Sequence, residues 1–170
     1  MRSMHEQRIE VRPARRSDVE NMNAVKHAAI FGVGAESYPA DQLSSWAGHL
    51  DAGHVHELEA RVAEGSLSFR VATHQDVVMG YGYLDLGSGE LGGLYVRPDR
   101  GREGIGGRLV EALLEVARDA GMDRLHVDAP ANVTGFFEKH GFEVRGPSSR
   151  TLGCGTVLET IRLERGVQEG

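Results

Sequence analysis

One cysteine, Cys154, stands in the whole chain, so no intramolecular disulfide framework can hold it together. No stretch is apolar enough to span a bilayer as a helix. Basic residues are the minority: 19 Lys and Arg against 25 Asp and Glu leave a formal net charge of -6. Affinity for nucleic acid rests on phosphate neutralisation, so this balance argues against a protein whose main task is wrapping DNA or RNA. The opening MRSMHEQRIEVR lacks the apolar core of a secretory signal, and a cytoplasmic home with a flexible stretch over residues 1–7 is the expectation. Linkers, low-complexity tracts and repeats are also missing. With 170 residues and 40% hydrophobic content, the chain fits one globular domain over 1–170 with a full core.

What the chain does have is glycine in one telling place. The segment GELGGLYVRPDRGREGIGG, residues 89–107, starts with a β-prone run (Leu91, Leu94, Tyr95, Val96) closed by Pro98. Gly101, Gly104, Gly106 and Gly107 then lead directly into a long amphipathic pattern. Glycine permits backbone conformations and close approaches that a Cβ would block, and the first turn of a helix offers unpaired N–H groups at its positive end. That order builds a cradle for an anion, most plausibly a pyrophosphate. Arg97, Arg100, Arg102 and Arg108 surround it. A solvated loop face is the bland reading of such a charge run, but four arginines around a glycine-rich turn suit a polyanionic small ligand.

Periodicity gives the elements. Residues 9–14 alternate as a strand, and Ser17 with Glu20 forms a capping-box signature for a helix to about Phe31. After a loop with Gly32 and Gly34, residues 39–50 read as a helix with Leu43, Trp46 and Ala47 on one face, and 54–64 as a shorter third. Residues 67–73 and 77–86 form an expected antiparallel hairpin turned at His74, Gln75 and Asp76, and 90–96 continue the meander. The helix over 106–120 carries Leu109, Val110, Leu113, Leu114 and Ala117 on one stripe before Gly121 ends it. A βαβ pattern follows: strand 124–128, helix 133–140 stopped by Gly141, then closing strands at 142–145 and 157–165. The fold class is mixed α/β, antiparallel in its first half, with a parallel crossover at the cradle.

The run LYVRPDRGREGIGGRLVEALLEVARDAGMDRLHVDAP, followed by NVTGFFEKHGFEVRG, resembles the GNAT-type N-acetyltransferase family, whose acetyl-CoA motif is commonly written Arg/Gln-x-x-Gly-x-Gly/Ala. A glycine-rich turn alone would be weak. Here it follows a strand ending in Val-x-Pro, starts a long amphipathic helix, and precedes a Phe-Phe-Glu-Lys-x-Gly-Phe segment. The rival dinucleotide fold needs Gly-x-Gly-x-x-Gly after a first strand and an acidic residue further on, a pattern this chain lacks.

The resemblance implies a single-domain fold with a mostly antiparallel central sheet, flanking helices and a splayed parallel strand pair. It implies acetyl-CoA as co-substrate, with no metal. Backbone amides of Arg102, Glu103, Gly104, Ile105, Gly106 and Gly107 would bind the pyrophosphate, and Leu94, Tyr95 and Val96 would line the pantetheine arm through their main chain. Asn132 matches a cofactor-contacting position and Phe136 would lie alongside; a helix cap and core packing are their alternatives. Two departures stand out. Gly101 occupies the usual Arg/Gln position, and Phe137 replaces the tyrosine that protonates the departing thiolate in many relatives.

Acyl transfer to nitrogen requires a neutral amine, so a proton must be removed. Glu90 matches the general base of the histone-acetylating branch, with an exposed strand-end carboxylate as its alternative, and Asp85 and His126 stand in reserve. A backbone N–H of Leu94 or Tyr95 would serve the developing oxyanion. Tyr81, Tyr83 and Tyr95 could each supply an acid, which stays unassigned. Phe31, Tyr38, Gln42 and Trp46 form the candidate acceptor pocket, the last three sharing a helical face; an ordinary core stripe is the competing reading. His49, His54 and His56 lack partners at a metal-ligand spacing, and Cys154 reads as a small buried hydrophobe. Two functions follow: an N-acetyltransferase acting on a primary amine, or an acyl-CoA sensor that keeps the cradle without the chemistry. The late strands at 157–165 offer an edge for a homodimer.

Overall fold

The computed structural model describes residues 8–33, 38–47, 52–100, 104–152 and 155–168. Seven strands and five α-helices follow in the order β1 (Glu10–Pro13), α1 (Val19–Val33), α2 (Ala40–Ala47), α3 (Ala52–Glu64), β2 (Leu67–His74), β3 (Val77–Asp85), β4 (Leu91–Val96), α4 (Ile105–Asp119), β5 (Arg124–Ala129), α5 (Thr134–Lys139), β6 (Glu143–Thr151) and β7 (Val157–Gly166). Among these described residues no helix is long and apolar enough to cross a membrane.

Strands β1 to β4 form one antiparallel sheet in chain order, and β5, β7 and β6 form a second. Among the described residues the sheets join through one parallel bridge between Glu90 and His126, where the His126 N–H donates to the Gly89 carbonyl at 3.0 Å. Beyond that bridge β4 and β5 part, which is the expected splay reduced to a single point of contact. A bulge bends β4: Tyr83 pairs with Gly92 and Tyr81 with Tyr95, so three steps along β4 oppose two along β3. Gly93 absorbs the extra residue with φ 56°, a left-handed value that favours glycine.

Three expectations are corrected. Helix α1 is preceded by a 3₁₀ turn over Arg16–Asp18, and Asp18, not the Ser17–Glu20 pair, ties its start down. The Asp18 carboxylate accepts the Arg15 N–H at 2.7 Å and is gripped by Arg12 at 2.8 and 3.0 Å, which fixes it over the helix entry. Strand β6 runs on to Thr151 instead of stopping at Arg145, because pairing with β7 supplies its ladder although GPSSR has little strand propensity. Strand β7 lies between β5 and β6, so the free edge of this sheet belongs to β6, not to residues 157–165.

Helix α4 joins the two halves. Its stripe of Leu109, Val110, Leu113, Leu114 and Ala117 is fully buried, along with Ile105. Val110, Leu113, Leu114 and Ala117 pack with Leu125, Val127, Phe137, Phe142 and Leu163 in one core, while Ile105 and Leu109 pack with Ile9, Ala72 and Met79. A second large core sits under α1 to α3, where Met22, Ile30, Leu43 and Ala47 meet Phe69, Val71 and Tyr81. Both large cores stop at the splay, and the gap between them stays open.

Candidate active site

The gap is a cleft of about 1000 Å³, at the upper end of the range for small-molecule and cofactor sites. Residues 90–98 along and beyond β4 form one wall, and residues 127–130 at and just beyond the end of β5 the other. The start of α4 and the inner face of α5 close one end; Trp46 and Arg150 lie in its lining as well.

The α4 end is built of backbone. Gly104 enters the helix with φ 77° and ψ 11°, a turn that a side chain would strain. The helix then runs for 15 residues, so its aligned peptides place partial positive charge on first-turn N–H groups that have no intrahelical acceptor. Gly106 and Gly107 keep the approach narrow and bare: a Cβ on Gly106 would meet the Phe136 ring at 3.0 Å, and one on Gly107 would meet His140 at 2.9 Å. Phe136 and His140 are themselves in ring contact, with centroids 4.9 Å apart. Gly104, Gly106, Gly107, Leu94, Tyr95, Val96 and Phe136 all line the cleft. The Ile105 side chain turns into the core, and Ile105 is not among the residues that line the cleft. Asn132 is exposed on the turn before α5 and lies outside the lining. Arg102 and Glu103 fall outside the described residues.

Of the other arginines, Arg97 and Arg108 line the cleft. Arg97 pairs with Asp99 at 2.8 Å, Arg108 donates to the Ile9 carbonyl, and Arg100 lies 3.1 Å from His74 Nδ1.

Glu90 sits where the sheets part, half-buried and on the cleft wall. Its N–H donates to Ser88 Oγ at 3.2 Å, and the charge of its carboxylate acts on Arg150 and Arg162, favouring their charged forms. The two reserves are placed differently. Asp85 is held in a turn, accepting from the Gly87 and Ser88 N–H groups at 2.9 and 3.3 Å, and neither it nor His126 lines the cleft. Across from Glu90, Asp128 faces the cleft in a bidentate pair with Arg162 at 2.6 and 2.9 Å. Burial opposes its ionisation, but the hydrogen bonds from Arg162 outweigh it and hold Asp128 below the usual carboxylate range.

Three tyrosines gather behind β4. Burial raises the Tyr81 hydroxyl well above its ordinary range and raises Tyr95 too, so both stay protonated at neutral pH. Tyr95 accepts a hydrogen bond from Trp46 Nε1 at 3.2 Å. The Tyr83 ring lies flat over Gly92 and Gly93, where a Cβ would come within 2.4 and 2.7 Å of it. That contact explains the glycine pair, whose role was not read from the sequence. Phe137 is buried against Phe142 and, as a hydrocarbon, has no proton to give.

Of the four proposed acceptor residues, only Trp46 lines the cleft. Tyr38 packs edge-on against Trp46, with centroids 5.8 Å apart, and donates its hydroxyl to the Glu159 carbonyl at 2.5 Å, bracing α2 against β7. Gln42 is half-buried and Phe31 stacks beside His27 on the surface. Sequence reasoning missed Arg150, which reaches the cleft from the end of β6, and Asp128. The alternation of β5 could have flagged Asp128 through its Leu125, Val127 and Ala129 neighbours; nothing local marks Arg150.

Comparison with known proteins agrees with this architecture. Residues 35–157 match the family model described as an acetyltransferase (GNAT) domain. A GCN5-related N-acetyltransferase of Rhodopseudomonas palustris superposes with a TM-score of 0.82 at 27% identity, covering 92% of this chain and 94% of the other. The PaiA N-acetyltransferase of Thermoplasma acidophilum in complex with coenzyme A follows at 0.74 and 18% identity, covering 94% and 99%. YncA, a putative acetyltransferase of Salmonella typhimurium with its cofactor acetyl-CoA, gives 0.68 at 19% identity, covering 96% of each chain. No curated protein sequence matches this one.

Proposed function

The chain belongs to the GNAT acetyltransferase family of acyltransferase enzymes, and from that premise we propose that it transfers an acetyl group from acetyl-CoA to a primary amine by direct attack in a ternary complex. The observation that carries the reading is the continuity of one cleft from the bare helix start at Gly104, Gly106 and Gly107 to Glu90. Both halves of a two-substrate reaction can share that space.

The residues present fit such a co-substrate. First-turn N–H groups of α4 bind a diphosphate without side chains, and the splayed main chain of Leu94 to Val96 offers unpaired groups to an amide-bearing arm. The co-substrate would supply an acyl group activated as a thioester, whose C–S bond breaks as the amine nitrogen bonds the acyl carbon, CoA leaving as a thiolate that takes its proton from solvent. Glu90 takes the proton of the incoming amine, directly or through one water. A backbone N–H at the β4 bulge, of Leu94 or Tyr95, would donate to the acyl oxygen and stabilise the charge that develops there. Phe136 and Phe137 exclude water from the arm.

Isothermal titration with acetyl-CoA, run beside free CoA release over a panel of amines, tests this. Binding with amine-dependent release supports the transferase; binding without release for any amine favours the sensor, and no binding removes the cradle. Glu90→Gln should lower turnover about 100-fold or more with acetyl-CoA affinity nearly intact. A variant that turns over like the parent would remove Glu90 from the role of base.

A further inference from the structure

A second, smaller cavity of about 110 Å³ adjoins the cleft, and Gly93, Tyr95 and Arg150 line both. Its outer walls are the polar faces of α1 and α3, which bring Lys26 and Arg61 towards Arg150. Three cations therefore surround a space that has one carboxylate, the solvent-exposed Glu57, in its lining. Among the described residues none of the three has a carboxylate within ion-pair distance, whereas Arg12, Arg16, Arg97, Arg145 and Arg162 each do. Arg150 is half-buried and donates to the Tyr83 hydroxyl, whose ring is clamped over Gly92 and Gly93. The guanidinium is thereby oriented, and its fork geometry suits a planar carboxylate.

Resting on the transferase reading above, we infer that this cavity holds the acidic group of the acceptor, so that the substrate is a primary amine carrying a carboxylate, with Arg150 as its principal partner and Lys26 as its second. Glu90 would meet the amine end and Arg150 the acid end of the same molecule. Lys26 fits this role electrostatically: burial first, then the charges of Arg150 and Arg61, hold its ammonium below the usual lysine range, a penalty that an anion in the cavity relieves. A polyamine or an aminoglycoside would bring positive charge into a positively charged space and is disfavoured.

The test uses the full chain with acetyl-CoA and acceptor pairs that differ by one carboxylate: phenylalanine with phenethylamine, methionine with 3-methylthiopropylamine, lysine with cadaverine. In at least one pair the carboxylated member should have a kcat/KM about tenfold or more higher, carried mainly by KM, as expected for a charge-assisted contact. Arg150→Gln should collapse that ratio towards one, Arg150→Lys should restore part of it, and Lys26→Met should reduce it less. Thermal melting checks that each variant folds. Equal turnover of both members, or an Arg150→Gln variant that lowers both alike, overturns the inference and leaves the transferase standing. If no amine is turned over, titration of N-acetylphenylalanine and N-acetylphenethylamine into the CoA complex decides: a carboxylate preference lost in Arg150→Gln supports the site, and indifference overturns it. Failure to bind acetyl-CoA at all overturns the transferase reading and this inference with it.

Discussion

The two ends of the cleft are built by opposite means. At the α4 end the surface is main chain: glycines at 104, 106 and 107 remove side chains and leave N–H groups and the positive end of a helix dipole. At the other end the lining is side chain: Glu90, Arg150 and Trp46, with Trp46 held by the Tyr95 hydroxyl and Arg150 beside Tyr83 of the smaller cavity. A backbone site tolerates almost any change that adds no atoms and fails when a Cβ appears. A side-chain site tolerates bulk at its rim and fails when one charge is removed. One end can therefore serve a co-substrate common to a whole family while the other is free to differ from protein to protein.

The largest separation of the two ends should come from Gly106→Val. Its Cβ starts 3.0 Å from Phe136, and the branched side chain must push that ring into the cleft or occupy the cleft itself. Acetyl-CoA affinity should fall about 100-fold, close to 2.7 kcal/mol by titration calorimetry. Arg150 lies in a different element, so the carboxylate preference of whatever turnover remains should persist. A Gly106→Val protein that binds acetyl-CoA normally would show that the α4 end does not recognise through close backbone approach.

The two ends also differ in how far the sequence disclosed them. The cradle is local: strand, proline, glycines and helix follow one another, and the α4 stripe from Leu109 to Ala117 is buried as its 3.6-residue spacing requires. The hairpin alternation of β2 and β3 and the stopping glycines at 121 and 141 were legible for the same reason. The other end, with the smaller cavity, is assembled from α1, α3, β2, β3, β4 and β6, whose residues are far apart in the chain. Arg150 follows Pro147, Ser148 and Ser149, residues that read as loop, and becomes a strand position only because β7 pairs with it. Tyr38 was expected to share a helical face with Gln42 and Trp46, but α2 begins at Ala40, and Tyr38 lies ahead of it with its hydroxyl spent on the Glu159 carbonyl, which periodicity cannot tell. Asp18 likewise replaced Ser17 as the anchor of α1 because a distant-facing Arg12 was there to hold it.

A smaller effect sharpens the contrast through pH. Asp128 and Arg162 join β5 to β7 on the cleft wall opposite Glu90, with side chains 13% and 37% exposed. Asp128 titrates below its ordinary value in the folded state, so its contribution is present above the unfolded value and lost as pH falls through the lowered one. Asp128→Asn should therefore cost about 1–2 kcal/mol at neutral pH, after allowing for the solvent that screens Arg162. The gap between parent and variant melting curves should narrow as pH falls through the ordinary aspartate range and on through the lowered folded-state value. A gap that stays constant across that range would mean the loss comes from packing, not from the ion pair.

The smallest effect belongs to neither end and serves as their control. The β2–β3 turn places Gln75 at φ 52° and Asp76 at φ 65°, the signature of a two-residue turn in which both central positions are left-handed. Neither residue is glycine, so each carries strain that glycine at the second position would relieve. Asp76 also contributes to the field that favours charged Arg12, which offsets part of the gain. Asp76→Gly should raise stability by about 0.5 kcal/mol, the strain released exceeding the entropy that a new glycine adds to the unfolded chain. This turn contributes nothing to the cleft or to the cationic cavity. Acetyl-CoA affinity and carboxylate preference should both stay at parental values while the melting temperature rises. If either moved with it, global stability would be setting the behaviour of the site, and the changes assigned to Gly106 and Arg150 would have to be re-read as losses of fold.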